Sequence, residues 1–64
     1  MSMFSIHYLI VRDGKVWNGN ALDAECWDDD YGKAVRFHGE ESAKAVLNGV
    51  LKAAKDACRI EEDE

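Results

Sequence analysis

Glu40–Asp56, EESAKAVLNGVLKAAKD, is the one stretch long and periodic enough to gather the rest of the chain around it. Ala43, Val46, Leu47, Val50, Ala54 and Ala57 recur at spacings of three and four, which places them on one face of an α-helix. Lys44, Asn48, Lys52 and Lys55 fall on the other face. Glu40 and Glu41 stand in the first turn and Lys52 and Lys55 towards the far end, the order the helix dipole favours. Glu40 and Lys44 add an i,i+4 pair worth about 0.2–0.5 kcal/mol. Gly49 costs roughly 1 kcal/mol against Ala in a helix interior, and close approach to a sheet is one reason to carry it. An amphipathic helix of this kind has to lie on something.

The remaining segments supply that surface. Residues 3–12 alternate in part, with Phe4, Ile6, Tyr8 and Ile10 read on one side and Ser5, His7 and Arg12 on the other. Leu9 and Val11 break the polar side, so this strand is either covered on both faces or central. Asp13-Gly14 between two β-rich runs is a strong hairpin signal, and Lys15–Trp17 returns as a short second strand before the turn residues Asn18-Gly19-Asn20. ALDAECW, residues 21–27, reads as strand or extended chain, with Leu22, Ala24 and Cys26 on one face and Asp23 and Glu25 on the other. A short, poorly capped helix is the alternative there. Asp28–Gly32 forms a loop or a single helical turn, with an Asp to cap it and Gly32 to end it. Ala34–His38 follows as a short strand with Val35 and Phe37 on one side, and Gly39 leads into the helix. Ala57–Glu61 runs as a last strand with Cys58 and Ile60 inward, and Glu61–Glu64 is an acidic tail expected to fray. Together these elements predict an α+β fold, a small antiparallel sheet of three to four short strands packed against one amphipathic α-helix.

Sixty-four residues make a single domain, 1–64, near the lower size limit for folding without staples. An apolar content of 47% is enough for a small core. Thirteen acidic against eight basic residues leave a net charge of −5, which argues against direct binding to nucleic acid or to an anionic membrane and suits a basic partner. No stretch approaches the ~20 apolar residues of a membrane span. MSMFSIHYLIVRDG lacks a basic flank and a small-residue cleavage site, so it reads as a strand rather than a signal peptide. A cytoplasmic setting follows, with Cys26 and Cys58 read as reduced thiols and a disulfide between them as the alternative.

The most unusual local feature is Asp23–Asp30. Asp23, Glu25, Asp28, Asp29 and Asp30 are five carboxylates without a base among them, and Trp27 and Tyr31 are interleaved. If 23–27 is extended, Asp23 and Glu25 project from one face about 6.7 Å apart, twice the strand rise. Such a row can occupy a Lys/Arg groove built for phosphates, with steered and salt-sensitive association, while the aromatics serve as apolar anchors. The plain alternative is a solvated acidic loop with Trp27 in the core. A calcium loop counted from Asp28 fails, because positions six and twelve are Lys33 and Gly39 where Gly and Glu are needed. His7, Cys26, His38 and Cys58 have the ligand number of a zinc site but none of its close spacings. No nucleophile motif and no phosphate loop is present, so no enzyme, cofactor or metal site is expected.

With CWDDDYGKAVRF at 26–37, EESAKAVLNGVLKAAK at 40–55 and an acidic tail, the chain resembles the small acidic proteins of phage and prophage genomes. Among them it is similar in size and charge to anti-CRISPR proteins, a likeness of layout that covers the whole chain. The resemblance implies a non-enzymatic inhibitor that binds a CRISPR effector of the bacterial host and blocks its DNA-binding surface. Asp23, Glu25, Asp28, Asp29 and Asp30 would meet that surface, with Trp27 and Tyr31 as anchors. A net charge of −5 is modest for a full DNA mimic and fits a localised acidic plug better. The alternative is a small accessory phage protein that self-associates through a sheet edge, as a monomer or weak homodimer in equilibrium.

Overall fold

The computed structural model describes residues 6–63. Four strands, β1 (His7–Arg12), β2 (Lys15–Trp17), β3 (Trp27–Asp28) and β4 (Arg59–Asp63), form one antiparallel sheet in the order β3-β2-β1-β4. One α-helix, α1 (Glu40–Asn48), lies on it. The expected α+β architecture is therefore present. Phe4 and Ser5, read as part of the first strand, lie outside the described residues.

The β1–β2 hairpin closes on Asp13 (φ 51°) and Gly14 (φ 79°), both left-handed, as a type I′ turn requires. Its partners are Arg12 with Lys15 and Val11 with Val16. On its other side β1 pairs with β4 along its length, from His7 opposite Asp63 to Val11 opposite Arg59. β1 is thus central, which is why its Leu9 and Val11 need no polar face. Arg12 has the parity of Tyr8 and Ile10 and lies on the helix side with them, not with His7 as the sequence reading had it. Its guanidinium sits 5.7 Å from the centre of the Trp27 ring.

Both faces of the sheet bury apolar side chains. Towards α1, Ile10, Trp17 and Cys26 meet Ala43, Leu47 and Leu51, with Tyr8, Phe37, Cys58 and Ile60 packed around them. On the outer face Leu9, Val11 and Val16 are buried, with Ala34 against them. Arg36 fixes the segment that covers this face. It donates through Nε to Asp63 (3.1 Å) and through its Nη atoms to the carbonyls of Ala34 and Tyr31.

Four local expectations differ from the structure. The α-helix stops at Gly49 rather than running on to Asp56, and Lys52–Ala57 continues as a 3-10 helix. Gly49 is the cap, not an interior cost: a Cβ there would meet the Ala45 carbonyl oxygen at 3.3 Å. The break turns Leu51 fully inward and leaves Val50 52% exposed, so the apolar stripe passes through Leu51 instead. Residues 21–26 are a turn and not a strand, because the amides of Asn18 and Asn20 both donate to the Glu25 carbonyl (3.0 and 2.8 Å) and draw the loop closed. Ala34–His38 makes a single bridge, Phe37 to Tyr8, though Val35 and Phe37 do share the helix side. The tail does not fray as far as Asp63, since Glu61, Glu62 and Asp63 pair with β1.

Removing the side chain of a fully buried leucine costs about 2–5 kcal/mol, whereas an exposed valine is worth about 0.5 kcal/mol or less. Urea unfolding of Leu51→Ala and Val50→Ala is expected to reproduce that contrast. Equal losses would mean that the α-helix runs through Gly49 unbroken.

Candidate functional site

The acidic segment begins in the loop between β2 and β3. Asn18 donates its backbone N–H to the Cys26 carbonyl (2.8 Å), and Trp17 caps the same loop by donating from Nε1 to the Asn20 carbonyl (2.7 Å). The backbone at Glu25 is therefore held, while the side chains of Asp23 and Glu25 both stand in solvent. They do not form the expected row on a strand face, because only Trp27 and Asp28 pair with β2.

Asp28, Asp29 and Asp30 leave the β3 edge as two successive side-chain-capped turns. Asp28 Oδ1 accepts from the Asp30 N–H (2.9 Å), and Asp30 Oδ1 accepts from the Gly32 N–H (2.8 Å). Asp30 is thereby the cap of the 3-10 turn Tyr31–Lys33, the capping role expected of an Asp here; Gly32 lies inside that turn instead of ending it. Asp29 projects most freely, 84% exposed and 3.7 Å from Lys15 Nζ, a contact solvent leaves with little energy. Each capping carboxylate keeps a second oxygen free of that bond. The result is a run of three carboxylates on a hydrogen-bonded frame rather than on a slack loop.

The two aromatics separate. Trp27 is half-buried against the core and beneath Arg12, which gives it a structural contact to maintain. Tyr31 is 39% exposed and remains in solvent beside the acids. Charge separates as well. Residues 23–30 hold five carboxylates and no base, and the eight other acids of the chain equal its eight bases. The segment's charge of −5 equals the net charge of the chain, and the second acidic run, Glu61–Glu64, is offset by bases elsewhere. Apart from that run, opposite charges elsewhere are interspersed, with ion pairs at Lys44–Glu40, Arg36–Asp63 and Arg59–Glu61.

The histidines and cysteines fall into different layers. His7 and His38 face each other with ring centres 5.1 Å apart. Cys26 and Cys58 are free thiols in the core on the helix side. Among the described residues no group of three His, Cys, Asp or Glu side chains could hold a metal ion, and no cavity is found. None of the described helices is long and apolar enough to cross a membrane. No family model, curated protein or solved structure matches the chain.

Burial pushes the Cys58 thiol above its ordinary range, against the pull of the Arg12 guanidinium and with a further push from Cys26. Its Sγ donates to the Ala54 carbonyl (3.1 Å), a bond that only the thiol form makes. A raised folded-state pKa gives stability that is complete below the unfolded thiol value, about 8.5, and is lost as pH climbs past it. Wild-type protein is therefore expected to lose stability relative to Cys58→Ala above that pH. A stability difference that does not change with pH would contradict the assignment.

Proposed function

We propose that the protein is a non-enzymatic inhibitor that docks its acidic segment on a basic, DNA-binding protein surface and occludes it. A CRISPR effector of a bacterial host is the target class that the resemblance to phage-encoded anti-CRISPR proteins points to. The observation that carries the proposal is the run of five carboxylates without a base in residues 23–30, three of them on a hydrogen-bonded frame. A groove lined with Lys and Arg for phosphates attracts such a segment, and the attraction speeds encounter as well as holding the complex.

The capped turns support the same reading. Carboxylates already fixed at Asp28 and Asp30 lose less conformational freedom on docking than carboxylates on an unstructured loop. Asp23, Glu25, Asp29 and Tyr31 complete the docking surface, Tyr31 supplying the exposed apolar area that acids lack. Trp27 acts from beneath by holding β3 against the core. Occlusion of this kind calls for a shaped, charged surface and no cavity.

Replacing Asp28, Asp29 and Asp30 together by Asn tests the proposal, because Asn keeps a side-chain oxygen to accept the turn hydrogen bonds while removing three charges. Tagged wild-type protein is expected to capture a nucleic-acid-binding complex from host lysate at low salt and to release it at high salt. The triple Asn variant is expected to bind that complex roughly tenfold more weakly or worse, a loss of about 1.4 kcal/mol or more. Undiminished capture by the variant, or capture indifferent to salt, would overturn the acidic plug.

A further inference from the structure

β4 ends the sheet, and among the described residues no strand pairs with its outer side. Which of its backbone groups point outward follows from β1. The Tyr8 N–H donates to Phe37 and its carbonyl accepts from Phe37, both on the β2 side, so Tyr8 exchanges no hydrogen bond with its β4 partner Glu62. Hydrogen-bonded and non-hydrogen-bonded pairs alternate along an antiparallel ladder. The N–H and C=O of Ile60 and Glu62 therefore face away from β1, and those of Arg59, Glu61 and Asp63 face it.

We propose that β4 is a self-recognition edge: two copies of the chain pair antiparallel through it, Ile60 opposite Ile60 of the second copy. Backbone geometry alone admits three registers, because outward-facing residues must meet outward-facing residues. Placing Glu62 opposite Glu62 also sets Glu61 against Asp63, so every charged pair repels. Placing Ile60 opposite Glu62 sets Arg59 against Asp63 twice but brings Glu61 against Glu61 at the centre. Placing Ile60 opposite Ile60 sets Arg59 against Glu61 twice, on either side of an apolar pair. Only this register is attractive throughout the segment Arg59–Glu61, and opposite-charge cross-strand pairs favour it.

Arg59 and Glu61 lie on the same face of β4 and form an ion pair within the strand, Nε to Oε2 at 2.8 Å. Both charges stand on that one face, where cross-strand partners would share or replace the pair they make within the strand. Charged edges ordinarily deter indiscriminate pairing. Here the same charges discriminate among registers and admit a second copy of this strand. Pairing would join two four-stranded sheets into one of eight strands. Seven inter-strand spacings of about 4.8 Å would then put the two outer β3 strands, with their acidic turns, roughly 34 Å apart. The edge argument does not depend on what those turns bind.

Sedimentation equilibrium of the full chain across a wide range of concentration tests the proposal, using wild type, Arg59→Glu, Glu61→Arg and the double exchange. Wild type is expected to move from monomer towards dimer as concentration rises. Each single reversal sets like charges opposite twice and is expected to weaken the dimer roughly tenfold or more, and the double exchange to restore it. Amide exchange gives a second reading that does not need the variants to fold. The Ile60 N–H, solvent-facing in the monomer, is expected to slow as wild-type concentration rises. Wild type that stays monomeric throughout, single reversals that dimerise as well as wild type, or an Ile60 amide indifferent to concentration overturns the proposal.

Discussion

β1 is hydrogen-bonded along both edges and apolar on both faces, and the other elements take their positions from those four contacts. β2 and the Phe37 bridge occupy one edge and β4 the other. On one face Ile10 meets the helix layer through Leu47 and Leu51; on the other Leu9 and Val11 are closed off with Val16 and Ala34. In a domain this small neither face alone buries enough area for independent stability, and a strand shared by two clusters couples them. Arg36 completes the coupling by tying the outer covering segment to the β4 edge at Asp63.

That frame also explains the distribution of charge. The sheet edge at β4 carries acids, but Arg36 and Arg59 lie among them, so they form pairs. The edge at β3 carries Asp28, Asp29 and Asp30 with only Lys15 in reach, at a distance and exposure that leave the pair weak. The first edge has bases set among its acids, which the proposed self-pairing uses. The second has three acids and one distant base, which the proposed docking on a basic surface uses. Both follow from where the folded chain sets its few bases, since acids are abundant at either edge.

Much of the frame was legible in the sequence. Leu9 and Val11 on what should have been a polar face announced a central strand, and Asp13-Gly14 announced the hairpin. Ala43 and Leu47 announced the helix face. The end of the helix was not legible, because the three-and-four spacing runs unbroken through Gly49, where the backbone leaves helical geometry (φ −114°, ψ −94°) in a conformation that side-chain spacing does not report. ALDAECW alternates as a strand would, yet the amides of Asn18 and Asn20 capture Glu25 from outside the segment, and that tertiary contact overrides the pattern. Glu61–Asp63 looked like a solvated tail because its charges concealed a strand whose partner lies some fifty residues away in sequence. Of the acidic segment, composition was legible and geometry only in part. The capping role of Asp30 could be read, whereas the solvent-facing loop at Asp23 and Glu25 and the inward turn of Trp27 depend on contacts made after folding.

The dependence of the whole fold on β1 is the central claim, and residue-by-residue native-state hydrogen exchange tests it most directly. The amides of Leu9 and Val11, which face β4, should exchange only through global unfolding, with one common free energy, while the amides of residues 21–26 exchange through local opening at far lower cost. Amides of Leu9 and Val11 that exchange as readily as those of the loop would contradict the account, and would place the stability of the domain elsewhere.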